Sequence, residues 1–154
     1  MITWQGLLED SRRAVIAGSV DSLRRSVSTT YYAVFHALAA SNADCLVGTR
    51  QTPLDEHAWL RAYRALDHRD ARMFLKRDIQ QFSPPVRRFI GIFEELQDAR
   101  HMADYNPDSS RIVARSEATR WIDRAESAIN EFNQVDPSER SAVAIQSLIR
   151  GRQA

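Results

Sequence analysis

Apolar residues recur at helical spacing along most of the chain. The longest uninterrupted run is Leu23 to Cys45, LRRSVSTTYYAVFHALAASNADC, which contains neither Gly nor Pro. An α-helix turns about 100° per residue. On that wheel Val27, Tyr31, Val34, Phe35 and Leu38 share one side, the expected core face. Arg25, Thr29, Tyr32 and His36 form a second stripe on the opposite side, within roughly 60° of one another. Ala40 and Ala43 continue it. A helix with an apolar face and an aromatic, basic back is expected to be covered on both sides, by the chain's own core and by a partner or a site.

The same reading extends to both sides of this run. Thr3 to Ala17 predicts a first helix, with Trp4, Leu7, Leu8, Val15 and Ile16 as its apolar set and Arg12 and Arg13 toward its C-terminal half. Gly18-Ser19 stops it, and Asp21 is a candidate cap for the next helix. After a loop at Val47-Gly48-Thr49, Thr52-Pro53 opens another helix, with Ala58, Trp59, Ala62, Tyr63 and Leu66 inward. Asp67 to Gln81 predicts a small charged helix with Met73, Phe74 and Ile79 tucked in. Ser83-Pro84-Pro85 is the sharpest boundary. A helix follows to about Tyr105, and Asn106-Pro107-Asp108 breaks it. Ser109 or Ser110 then caps a last long helix to about Val135, burying Ala118, Trp121, Ile122, Ala125, Ile129 and Phe132. Asp136-Pro137 starts a short amphipathic tail helix.

The expected fold is therefore all-α. It is an antiparallel, up-and-down four-helix bundle of about residues 3–17, 21–45, 84–105 and 109–135, with a helical insertion at about 50–81. Residues 1–135 would form a single domain and 136–154 a tail with a short helix.

Composition narrows the function classes. A chain of 154 residues can bury a real core, and 44% hydrophobic with 27% charged residues is the balance of a globular protein rather than a disordered one. Few turn signals (5 Gly, 5 Pro) disfavour a many-stranded sheet. The net charge of +1 provides no whole-chain field for nucleic acid, so any basic footprint must be local. The single cysteine, Cys45, excludes an internal disulfide and a cysteine zinc cluster, and fits a cytoplasmic protein. No apolar run resembles a signal peptide or a membrane span, so no membrane partner is expected. His57 and His68 show no metal-ligand spacing. There is no glycine-rich phosphate loop, nucleophile elbow or HExxH, so no metal or cofactor is expected. The run Arg69 to Arg77 reads as a solvated face with Asp70 and Asp78 interleaved.

Arg100 is the most unusual placement. Val86, Phe89, Phe93 and Leu96 form an apolar stripe, and Arg100 falls on it within about 60°. An arginine there is costly unless paired. One reading has it capping carbonyls at the bundle's end and pairing with Asp104. The other is a polar site of Arg100, Asp104 and Tyr105, with Arg111 and Arg115 at the start of the last helix, suited to phosphate. His36 reads first as a half-buried histidine, in the absence of a second histidine at ligand spacing.

The block LRRSVSTTYYAVFHAL, followed after a helical insertion by ARHMADYNP, resembles the HEPN superfamily. More narrowly it is similar to a small prokaryotic branch with an R-S-x-S-x-x-Y-Y-A-x-F-H block and a late R-x-x-A-D-Y block, over roughly residues 3–133. The resemblance implies an antiparallel helical bundle that pairs as a homodimer. It implies either a metal-independent ribonuclease, whose R-x(4–6)-H motifs from two protomers form one site, or a non-catalytic module. Such a module would bind RNA, a nucleotide or a partner protein such as a minimal nucleotidyltransferase, in a toxin–antitoxin or antiphage system. Arg100 matches the motif arginine. The histidine position of R-x4-H is Tyr105, and a spacing of six reaches only Asn106 and Pro107. A phenol with its ordinary pKa of about 10 is a poor base at neutral pH but can donate a hydrogen bond.

The favoured expectation is a non-catalytic, dimeric binding module. Its binding residues would be Arg100, Asp104, Tyr105, Tyr32, His36, Arg25, Arg111 and Arg115. The alternative is an endoribonuclease with an atypical site, with Arg100, Tyr105 and His36 as its catalytic groups. A purely structural role for Arg100 is the third option.

Overall fold

The computed structural model describes residues 1–107 and 113–149. Among them the chain is all-helical. The helices are α1 (Trp4–Ala17), α2 (Val20–Val47), α3 (Pro53–Arg64), α4 (His68–Leu75), α5 (Pro84–Tyr105), α6 (Arg115–Asn133) and α7 (Pro137–Leu148), with a 3-10 turn at Ile79–Gln81. No described helix is long and apolar enough to cross a membrane.

Local chemistry sets the boundaries. The Thr3 hydroxyl accepts from the Gly6 N–H at 3.1 Å and starts α1. Gly18 ends it at φ 69°, a left-handed conformation that favours glycine. Ser19, not Asp21, caps α2, its hydroxyl accepting from the Ser22 N–H at 3.1 Å, because the helix begins one residue before Asp21. Thr52 and Asp55 form a reciprocal capping box on α3, with Pro53 in the first turn. The segment expected as one helix over 67–81 is two pieces, separated by Asp78 at φ 52°. Helix α6 begins at Arg115, and the expected caps Ser109 and Ser110 lie outside the described residues.

The chain forms two compact units. The first comprises Met1–Ala37 and Gly91–Asn130, and so holds α1, the first part of α2, the second part of α5 and most of α6. Its contacts close a ring. Ser11 of α1 donates to the Ser26 carbonyl and pairs with Thr30 of α2, each at 3.0 Å. Helix α2 runs against α5 through Arg24–Asn106, Ser28–Asp104 and Tyr31–Gln97, a descending order that makes the two antiparallel. Arg124 of α6 reaches Glu95 of α5 at 2.8 Å, and Arg12 of α1 reaches Asp123 and Glu126 of α6 at 3.2 and 2.5 Å. Val27, Tyr31, Val34, Phe93, Leu96 and Ile122 fill the centre. Ile16, expected inward, is 76% exposed; it lies in the last turn of α1, at the edge of the apolar arc.

The second unit comprises Leu38–Ile90 and the described part of Glu131–Ala154. Phe89 stacks on Phe132 at 4.3 Å between ring centroids. Trp59 donates its indole N–H to Asp44 at 2.8 Å, stacks on Tyr63 and carries the Arg50 guanidinium over its face at 4.1 Å. Helix α7 packs on α4, and Asn42 donates to Ser147 at 2.9 Å inside the unit. Met73, expected inward, is 51% exposed, because the inward face of α4 is taken by Ala71, Phe74 and Leu75.

Candidate functional site

The two conspicuous sequence blocks meet in the first unit, on the facing sides of α2 and α5. Arg100 continues the apolar stripe of α5 one turn beyond Leu96, which turns its side chain inward; only 18% of it is exposed. Its guanidinium carbon lies 5.1 Å from the Tyr31 ring centre and 5.3 Å from that of Tyr32, with the cation over both rings. Arg100 Nε donates to Asp104 Oδ2 at 3.3 Å, one turn on. The other carboxylate oxygen of Asp104 accepts from the Ser28 hydroxyl at 2.5 Å. Arg100 also hydrogen-bonds the phenol of Tyr105, which is 64% exposed. The charge is thus desolvated on one side, paired on a second and turned toward solvent beside Tyr105.

These neighbours set the proton inventory. Burial disfavours the charged guanidinium, but Tyr32, the hydrogen bond with Tyr105, Tyr31 and Asp104 outweigh it, and the Arg100 pKa rises. Arg100 is therefore a permanent cation. Tyr31 is fully buried, and its phenol is pushed up to about 12, mainly by desolvation and against the opposing pull of Arg100. It keeps its proton, and its oxygen accepts from Gln97 Nε2 at 3.5 Å. Burial pushes the His36 imidazole below its ordinary value, so the ring is neutral at pH 7. His36 sits edge-on to Phe35, with ring centres 5.8 Å apart. His101 stacks obliquely on Tyr105 at 5.0 Å, which brings an exposed imidazole beside the site's outermost phenol.

The structure gathers Arg100, Asp104, Tyr105 and Tyr32 into one cluster. Arg25 and His36 lie on the same helix as Tyr32, Arg25 exposed and His36 half-buried. Arg115 is elsewhere: its guanidinium lies against Gly18, where a Cβ would stand 1.9 Å from Nη2. It covers the end of α1, a natural seat for a cation, rather than joining Arg100. Arg111 lies outside the described residues. Sequence reasoning missed Ser28, which orients Asp104, and the second role of Tyr31, whose ring serves both the core and Arg100. The signal for Ser28 was its position one turn before Tyr31 and Tyr32 on α2. Arg24 was missed as well. It donates to the Asn106 carbonyl at 3.0 Å and borders a hollow of about 320 Å³ with Val27, Met102, Ala103 and Glu117. Among the described residues no group of three or more His, Cys, Asp or Glu is placed to hold a metal ion.

Comparison with protein-family models, curated proteins and solved structures returned no match. The functional reading therefore stands on the geometry of the cluster and on the two sequence blocks.

Proposed function

We propose that this chain is a HEPN-like module that uses the Arg100 cluster to bind a phosphate group of RNA or of a nucleotide without cleaving it, and that it works as a homodimer. The observation that carries this reading is the prior arrangement of Arg100. The guanidinium is held over two tyrosine rings and tethered at Nε, beside the exposed phenol of Tyr105. A guanidinium fixed in this way suits phosphate, which it can engage through two parallel hydrogen bonds. Support for a HEPN-like module comes from the meeting of the two blocks, Ser28 with Asp104 and Tyr31 and Tyr32 with Arg100. Support for pairing comes from the half-open stripe of Thr29, Tyr32 and His36 on α2. The setting that agrees with the resemblance is a prokaryotic toxin–antitoxin or antiphage system, with a nucleotidyltransferase-type protein as a further partner.

Binding is favoured over cleavage by the proton inventory. Tyr31 holds its proton to about 12, and the position a motif histidine would occupy is Tyr105. A ribonuclease assay on purified wild type and Arg100→Ala, with mixed RNA substrates and EDTA present, tests this. The expected result is intact RNA in every arm. Cleavage that requires Arg100 and survives EDTA would make the chain a metal-independent endoribonuclease. His101 beside Tyr105 would then be the first candidate base, ahead of His36.

A further inference from the structure

Helix α4 carries basic residues along one side. Arg69, Arg72, Met73 and Lys76 follow the i, i+3, i+4, i+7 spacing of a single helical stripe, and Arg77 follows directly. The opposite face, Ala71, Phe74 and Leu75, is buried in the second unit. Arg69, Lys76 and Arg77 are exposed, as are Arg61 and Arg64 in the last turn of α3. Between positions 61 and 78 six cations stand against three carboxylates, Asp67, Asp70 and Asp78, while the whole chain carries only +1. One of those carboxylates is directed at the backbone. Asp67 caps α4, accepting from the N–H groups of Arg69 and Asp70 at 2.9 and 3.0 Å. The far end of α4 is fixed by Gln146 of α7, which donates to the carbonyls of Phe74, at 2.8 Å, and Arg77. The stripe is thus a local basic field on a helix anchored at both ends.

We propose that this stripe is a docking surface for the phosphate backbone of single-stranded nucleic acid, separate from the Arg100 cluster. The cations are mostly arginine, the residue best matched to phosphate. Eight residues of helix span about 12 Å, the reach of two or three successive phosphates of a flexible strand. Met73, 51% exposed at the middle of the stripe, gives an unpaired base an apolar seat. It is also the one exposed large apolar side chain on α4, too little for insertion into a lipid surface. Contact through phosphates predicts binding with little sequence preference and a steep dependence on salt.

The test is fluorescence anisotropy with a labelled 20-nucleotide single-stranded RNA from low to physiological salt. The full chain is compared with the double variant Arg69→Gln, Lys76→Gln and with the charge-keeping swap Arg69→Lys, Lys76→Arg. Wild type and the swap are expected to bind alike. The double neutral variant is expected to bind about tenfold more weakly, with a salt slope shallower by about 0.7 for each cation removed. An unchanged affinity and slope in that variant, or no binding by wild type at low salt, overturns the proposal. So does equal binding of polyglutamate or of phosphatidylserine vesicles, which would assign the stripe to an acidic protein or a membrane. A preference for duplex over single strand would overturn the single-stranded assignment.

Discussion

The first unit and the second both present arginines, and they treat them in opposite ways. Arg100 is largely enclosed, over two tyrosine rings and tethered to a carboxylate that a buried serine orients. Arg69 of α4 is exposed, and so is Arg77 just beyond the helix, its guanidinium over the Phe74 ring. An enclosed cation has its geometry fixed and its interactions strengthened by low dielectric, so it acts at short range on one group and its loss disturbs the fold. An exposed cation contributes little to stability and acts through a screened field that sums with its neighbours. The enclosed arginine suits recognition of one phosphate, and the exposed row suits a polyanion.

The largest effect that can sharpen this contrast lies under Arg100. Tyr31→Ala removes a fully buried ring and is expected to cost about 3–5 kcal/mol in urea denaturation. Tyr31→Phe keeps the packing and is expected to cost under about 1.5 kcal/mol. Next comes the direct comparison of arginines. Arg100→Ala is expected to cost about 1–3 kcal/mol through the lost contacts with both rings and the stranded Asp104. Arg69→Ala is expected to stay within about 0.5 kcal/mol. Equal costs for the two would break the contrast.

A smaller effect concerns acid. Asp55, Asp67 and Asp136 are all held below the ordinary carboxylate value by the hydrogen bonds they accept at helix starts, and all three lie in the second unit. The unfolded chain therefore binds more protons than the folded one in that range. The stabilisation from these caps is complete above pH 3.8 and is lost as pH falls through the lower folded values. Asp67→Ala is expected to cost about 1 kcal/mol at pH 7 and to remove its share of this acid dependence, read from melting temperatures between pH 2 and 7. The smallest effect is at His36. Its imidazole is expected to titrate below 6.5 in an NMR titration, because burial disfavours its cation. The stability linked to it is complete above 6.5 and declines as pH falls through the folded value. A midpoint above 6.5 would reveal an acidic neighbour in place of simple burial.

Much of this architecture is legible in the sequence, for physical reasons that differ by region. The core stripe of α2 can be read because Val27, Tyr31, Val34, Phe35 and Leu38 repeat over many turns, and all five are buried. Arg100 stands out because it breaks an apolar period on α5. Short helices are less readable: in α4 the period alone did not reveal that Met73 faces solvent while Phe74 faces inward. Ser28 is hard to single out because a small polar residue neither extends nor interrupts a hydrophobic pattern, yet its hydroxyl holds Asp104. Arg115 suited a phosphate site by its place at a helix start, but Gly18, without a Cβ, leaves room for its guanidinium at the end of α1 instead.

The most direct test of the Arg100 reading is calorimetric titration of wild type and Arg100→Ala with 5′-AMP and with adenosine, which differ only in the phosphate. A single phosphate engages little of the α4 row, so the result reports on the enclosed arginine. Wild type is expected to bind 5′-AMP at least about tenfold more tightly than adenosine, and Arg100→Ala is expected to lose this difference while remaining folded. Equal binding of the two ligands, no binding of either, or an undiminished preference in Arg100→Ala would contradict that reading.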